Sequence, residues 1–239
     1  MCTLEKRGNL FFLTLTGDSD HRLSPSVISS LLTALSQIKS QASRGSALIT
    51  TAEGSKFFSN GFDLAWAQSA GSSSAAADRL YSMVDAFKPV VAALISLPMP
   101  TIAALPGHAA AGGLMLALCH DYIVMRKDRG VLYMSEVDIG LPLPDYFAAV
   151  MRAKIGSAAV RRDVMLVGRK IKGEEAVAMG IAESAHDSAE SAVEAAVRLG
   201  EQLARRKWNG EVFAEIRKSM FPELCGVLGI AEIAIVPKL

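Results

Sequence analysis

Two glycine-bearing stretches hold the residue types in this sequence that are best placed for chemistry. One is "GHAAAGGLMLAL", residues 107–118, where a lone histidine precedes ten small or apolar residues with Gly112 and Gly113 near their centre. Within a helix, two glycines would weaken it. At a helix start they have a use: the first amides lack an intrahelical acceptor, lie at the positive end of the helix dipole, and can meet an anion or a developing oxyanion. The same pattern also fits a close helix-packing contact. The second stretch is "GSKFFSNGFDLAWA", residues 54–67, a loop with aromatic residues that leads into a helix. A donor near Asn60–Gly61 facing one near Gly112 would form an oxyanion hole, in which each amide contributes roughly 2.7 to 4 kcal/mol to a transition state.

These stretches need elements to hold them. "GNLFFLTLTG" (8–17) reads as a strand, and "SPSVISSLLTALSQIKSQAS" (24–43) as a helix with Ser24 as N-cap and Pro25 in its first turn. "SALITTA" (46–52) is a buried-type strand. A helix between two strands predicts a right-handed crossover and a parallel sheet. "GSSSAAAD" (71–78) reads as a flexible connection. "ADRLYSMVDAFKPVVAALISLP" (77–98) has helical periodicity, with a kink or break expected at Pro89. "PTIAALPG" (100–107), "DYIVMRKD" (121–128) and "VLYMSE" (131–136) are further strands, and helices dominate from about Ala158. The pattern is α/β with a helical C-terminal part.

Composition narrows the function. The chain has 239 residues, 51% hydrophobic and 21% charged, which is enough to bury a sizeable core. With 25 basic and 24 acidic residues, the formal net charge of +1 argues against nucleic acid as the main partner. Cys2, Cys119 and Cys225 show no metal-ligand or disulfide spacing, so no metal site and reduced thiols are expected. No run is long enough for a membrane span, and no dinucleotide fingerprint, P-loop lysine or Gly-x-Ser-x-Gly elbow occurs.

"KFFSNGFDLAWA", "PTIAALPGHAAAGGLMLALCHDYIVM" and "LYMSEVDIGLPLP" follow one another in an order and spacing that resemble the signatures of the crotonase, or enoyl-CoA hydratase/isomerase, superfamily. The resemblance spans roughly residues 8–185. Together with the final "PKL", it is similar to the peroxisomal Δ3,Δ2-enoyl-CoA isomerases of plants. It implies a ClpP/crotonase-like fold of repeated ββα units. Residues 1–190 would form the catalytic core, and residues 191–239 a helical region for trimer or hexamer formation. It further implies that the amides of Asn60 and Gly112 grip the thioester carbonyl of an acyl-CoA. Ser59, Gly61, Phe62, Asp63 and Leu64 would line the bent CoA, with Gly113 and Met115 beside the substrate. No cofactor is implied beyond the CoA carried by the substrate. "PKL" resembles the Ser-Lys-Leu peroxisomal address with Pro237 in the serine position; it implies the import receptor as partner and the peroxisome as location. A tail that merely ends this way is the other reading.

The resemblance also distributes the acids. Hydratases of this superfamily use two glutamates, and the one that lies three residues past the glycine donor corresponds to Met115, which moves no proton. The other corresponds to Glu136. Adding water to a double bond benefits from two groups; shifting a double bond needs one, which removes a proton at C2 and returns it at C4. Glu136 among Tyr133, Met134, Val137, Ile139 and Leu141 would have its pKa raised by burial, as suits a general base. Taken alone, Glu136 reads rather as a surface carboxylate at a strand end or a salt-bridge partner. The expected activity is Δ3,Δ2-enoyl-CoA isomerisation. The alternatives are a hydratase or thioester hydrolase on the same fold, or a non-catalytic acyl-CoA-binding protein. Asp63 is expected to cap a helix, Asp138 and Asp145 are weaker candidates for a second acid, and His108 reads as structural. His120 looks like a helix C-terminal residue suited to the dipole. The basic run within 198–220, including Arg205, Arg206, Lys207, Arg217 and Lys218, reads as a solvated face or a partner for CoA phosphates.

Overall fold

Three consecutive stretches of the chain each run strand, short strand, helix, and this repetition builds the molecule. The computed structural model describes residues 1–54 and 56–231; the "PKL" segment lies outside them. The strands are β1 (Cys2–Arg7), β2 (Leu10–Leu15), β3 (Ala47–Ala52), β4 (Phe57–Ser59), β5 (Thr101–Leu105), β6 (His108–Ala110), β7 (Tyr122–Arg126), β8 (Val131–Tyr133), β9 (Ile171–Lys172) and β10 (Ser184–His186). The helices are α1 (Pro25–Ser40), α2 (Leu64–Gln68), α3 (Ser73–Ile95), α4 (Gly112–Leu118), α5 (Asp145–Lys154), α6 (Ala158–Met165), α7 (Gly173–Ala178), α8 (Ala189–Ala204), α9 (Gly210–Met220) and α10 (Pro222–Leu228).

The first strand of each unit joins a six-stranded sheet, ordered β1-β2-β3-β5-β7-β10, which is parallel apart from β1. The second strand joins a four-stranded sheet, ordered β4-β6-β8-β9, in which β4, β6 and β8 are parallel. This is a crotonase fold. The chain leaves β4, β6 and β8 at the same edge of the small sheet, so the segments after Ser59, Ala110 and Tyr133 emerge side by side.

Local chemistry supports each element. The Ser24 hydroxyl accepts the Val27 amide at the start of α1, whose Val27, Ile28, Leu31, Leu35 and Ile38 are buried. On the other face of the large sheet, Ala192, Ala196 and Gly200 let α8 lie close: a Cβ on Gly200 would be 3.4 Å from Ile49 and Leu10. The boundary drawn at residue 190 falls inside α8, which packs on β3, β5 and β7.

Two expectations are corrected. No break occurs at Pro89: α3 is continuous from Ser73 to Ile95. The proline removes one backbone donor, but its would-be acceptor belongs to the exposed Asp85, while Phe87, Val90, Val91 and Leu94 anchor the helix in the core. The "flexible" 71–78 stretch is largely the first turns of that helix, capped by Ser72. The N-terminal "CTLEKR" is the edge strand β1, whose charges suit an exposed sheet edge.

Candidate active site

Gly112 is the first residue of α4, as its position after a strand and turn suggests. Ala111 precedes it at φ +49°, donates its amide to the Tyr133 carbonyl at 2.9 Å, and accepts from Met115 at 3.1 Å to close the first turn. That leaves the Gly112 amide with no acceptor among the described residues. Gly113 serves packing: a Cβ there would be 2.2 Å from the Ser59 carbonyl oxygen. Helix α4 can therefore approach β4 only with glycine at this position.

The facing loop differs from expectation at one residue. The Asn60 amide, expected to be a donor, is taken up by the Asp20 carbonyl at 2.8 Å, and its side-chain Nδ2 donates to Asp20 Oδ2 at 3.0 Å. Beyond it, Leu23 pairs with the loop on both sides of Phe62, donating to Gly61 O at 2.8 Å and accepting from Asp63 N at 3.4 Å. In such a bridge the Phe62 amide points away from Leu23, and no acceptor lies on it among the described residues. The alternation of extended backbone moves the open donor from Asn60 to Phe62. Gly61, at φ +75°, makes the approach possible: a Cβ would be 3.2 Å from the Gly112 amide nitrogen. Gly112 in turn lies against the Phe62 ring, 3.4 Å from where its own Cβ would be.

Glu136 sits in the turn after β8, its carbonyl accepting the Leu141 amide at 2.9 Å. Its Oε2 is buried without a hydrogen-bond partner. Burial raises its pKa above the usual carboxylate range, opposed by its own amide and that of Ser135. Glu136 and Phe62 line one cavity of about 350 Å³. Leu80, Tyr81, Val84 and Asp85 of α3 form one wall, and the segment Leu141–Asp145 with Phe147 the other. Phe62, Phe87 and Phe147 pack ring on ring, and the Tyr146 hydroxyl donates to the Val84 carbonyl at 2.7 Å, tying α5 to α3.

The remaining expected residues divide. Asp63 caps α2 by accepting the Trp66 amide at 3.0 Å, and Leu64 opens that helix half-buried. Ser59 is fully buried and its hydroxyl donates to the His21 carbonyl, so it braces the loop from below and is not among the residues that line the cavity. Met115 and Gly113 are likewise buried in the core beneath the site. Asp145 stands exposed at the cavity rim, and exposed Asp138 lies beside Gly168. His120 is corrected: it hydrogen-bonds Thr50 Oγ1 at 2.7 Å and the Leu116 carbonyl at 3.0 Å, and burial pulls its pKa down to about 4, so it is neutral and takes nothing from the dipole. Burial also lowers His108, and pushes the Cys119 thiol up to about 12. Arg217 and Lys218 are buried and belong to no solvated face; Arg217 pairs with Asp121 and donates to the carbonyls of Ile95, Leu97 and Met99. Among the described residues no group of three or more His, Cys, Asp or Glu is placed to hold a metal ion. Sequence reasoning missed the α3 residues Leu80, Tyr81, Val84 and Asp85 of the cavity wall, and Asp20, whose contacts with Lys56 and Asn60 reach some forty positions along the chain.

The fold sets two main-chain amides without acceptors among the described residues, those of Phe62 and Gly112, on adjoining loops, with Glu136 lining the same cavity as Phe62. The profile of the enoyl-CoA hydratase/isomerase family matches residues 9–221. The chain belongs to that family. It is 69% identical over 231 residues to enoyl-CoA delta isomerase 2, peroxisomal, of Arabidopsis thaliana, covering 96% of both chains. It is 52% identical over 225 residues to enoyl-CoA delta isomerase 1, peroxisomal, of the same plant, covering 94% of this chain and 91% of that one. The apo structure of an enoyl-CoA isomerase from Mycobacterium tuberculosis superposes with a TM-score of 0.83 at 20% identity, over 95% of this chain and 94% of that one, a likeness of fold.

Proposed function

We propose that the protein is a peroxisomal Δ3,Δ2-enoyl-CoA isomerase, which moves the double bond of a 3-enoyl-CoA to the 2-trans position in the breakdown of unsaturated fatty acids. The relatives that cover nearly the whole chain carry that activity and location in their names. The observation that carries the reading is the acid count: among the described residues Glu136 is the one site carboxyl with a buried, unpartnered oxygen, and the buried Met115 stands where the family resemblance puts the second acid.

The mechanism follows from that count. Glu136 removes a proton from C2 of the thioester. The electrons move onto the carbonyl oxygen, where the amides of Gly112 and Phe62 stabilise the dienolate. Glu136 then returns the proton at C4. Atoms and charge balance within the substrate, so no metal, redox group or cofactor beyond the substrate's own CoA is called for. The acyl tail lies in the cavity between α3 and residues 141–147. Arg22 and Lys56, which flank the donor loop, and Lys170, over the Tyr133 ring, form a basic rim suited to the CoA phosphates. Self-association as a trimer or hexamer is supported by exposed apolar side chains such as Leu166, Val167, Ile216 and Met220. Residues 1–190 carry the catalytic core in this reading, and 191–239 contribute to assembly. The import receptor is a partner on the sequence of residues 237–239 and the resemblance alone.

Product analysis tests the reading. Pure protein incubated with 3-hexenoyl-CoA in deuterated water should yield 2-trans-hexenoyl-CoA carrying solvent deuterium. A 3-hydroxyacyl-CoA would make it a hydratase, free CoA a thioester hydrolase, and unchanged substrate without exchange a binding protein.

A further inference from the structure

The segment Asp18–Leu23 belongs to no regular element apart from Leu23's bridge to Phe62, yet it contacts the donor loop along nearly its whole length. The Asp20 carbonyl and carboxylate both hold Asn60, the His21 carbonyl holds the Ser59 hydroxyl, and Leu23 brackets Phe62. His21 is 4% exposed, and its Nδ1 meets the Phe57 carbonyl at 3.0 Å. His21 also adopts φ +44°, a left-handed conformation unusual for a non-glycine residue, and such a conformation persists only where the surroundings enforce it. The Asp18 carboxylate enforces it from one side, accepting the amides of Asp20 and His21 at 2.9 Å each. The Asp20 carboxylate is itself fixed by Lys56 at 3.2 Å and Arg22 at 3.2 Å.

We infer that Asp20 is a positioning residue for the reaction: by gripping Asn60 through both main chain and side chain, it sets where the Phe62 amide points. This rests on the isomerase reading above. Asp20 touches no reacting atom. Its effect passes through Asn60 and the two-residue reach to Phe62, and an oxyanion donor works only when it is already in place as charge develops. If the grip is released, Asn60 keeps its main-chain bond and the fold, but the loop gains freedom at the donor.

The test is a kinetic cycle on 3-hexenoyl-CoA. Asp20→Ala and Asn60→Ala should each lower kcat about 10- to 100-fold, the range a misplacement near 1 Å produces, with KM changed less than about threefold. Both break the same side-chain contact, so the double variant should be within about twofold of the worse single one. Asp20→Asn keeps an acceptor oxygen for Asn60 Nδ2 and should retain kcat within about threefold of the parent. If Asp20→Ala fails to fold, Asn60→Ala removes the contact from its other side and carries the test with Asp20→Asn. Folded variants with the parent kcat, or single effects that multiply in the double variant, overturn the inference. A parent protein that leaves 3-hexenoyl-CoA unchanged overturns the isomerase reading instead, and the two failures are thereby distinct.

Discussion

Gly61 lies directly against Gly112: a Cβ on Gly61 would come within 3.2 Å of the Gly112 amide nitrogen and 3.0 Å of the Ala111 Cβ. This contact brings together the two distant loops that carry the Phe62 and Gly112 amides. Gly61 also holds φ +75°, where a side chain is strained whatever the space. Gly61→Ala is therefore expected to cost about 1 to 3 kcal/mol of stability. Its effect on turnover should be larger, at least about 10²-fold, because the donors are forced apart. Thermal unfolding and kcat measured on the same preparation separate the two effects.

The raised pKa of Glu136 has two opposite consequences with pH. The carboxylate is the form that accepts a proton, so turnover should fall as pH drops through the raised value, nearer neutrality than for an exposed glutamate. Stability runs the other way. The native state holds this proton more tightly than the unfolded chain does. The group's contribution is therefore full below its unfolded pKa and lost as pH rises through the folded one. Glu136→Gln removes that dependence. Its melting temperature relative to the parent should rise as pH is raised above about 4. A difference that stays flat or falls would show that burial does not raise this carboxyl.

Arg217 anchors the C-terminal helices. Its guanidinium pairs with Asp121 and closes off three carbonyls at and just beyond the end of α3, with its side chain only 4% exposed. Arg217→Ala would leave Asp121 buried without its cation, and a loss of about 3 to 5 kcal/mol is expected. Urea denaturation measures it. Arg205→Ala, at the exposed position immediately after Ala204, should change stability by less than about 0.5 kcal/mol.

Much of the site was legible because glycine spacing and strand-turn-helix order are local. Gly112 opening a helix, Asp63 capping α2 and Glu136 just past a strand all follow from neighbours in sequence. The assignment of Asn60 failed for a different reason. Extended backbone points successive amides to opposite sides, and only the pairing with Leu23 decides that Phe62's is the open one. Asp20 was invisible because its role lies in contacts with a loop forty residues on. The basic run near residue 217 misled because charge reads as exposure unless a buried partner such as Asp121 is known. At Pro89, local propensity lost to the apolar residues that anchor α3 on either side.

A buried thiol at the C-terminal end of α4 gives a further check. Cys119 is fully buried and its pKa is pushed up to about 12, so almost none of it is thiolate near neutrality. Iodoacetamide at neutral pH should leave Cys119 unmodified in the folded protein, and modify it once urea unfolds the chain. Mass spectrometry of the peptide reads this directly. Rapid labelling of Cys119 in folded protein would contradict the burial of α4 on which the Gly112 donor depends.

Isomerisation rests above all on one carboxyl group. The most direct measurement is turnover of 3-hexenoyl-CoA by Glu136→Gln, with circular dichroism confirming an intact fold. Loss of about 10² to 10⁴ in kcat is expected from removing the base that carries the proton from C2 to C4. A folded Glu136→Gln protein that isomerises at near the parent rate would contradict the mechanism.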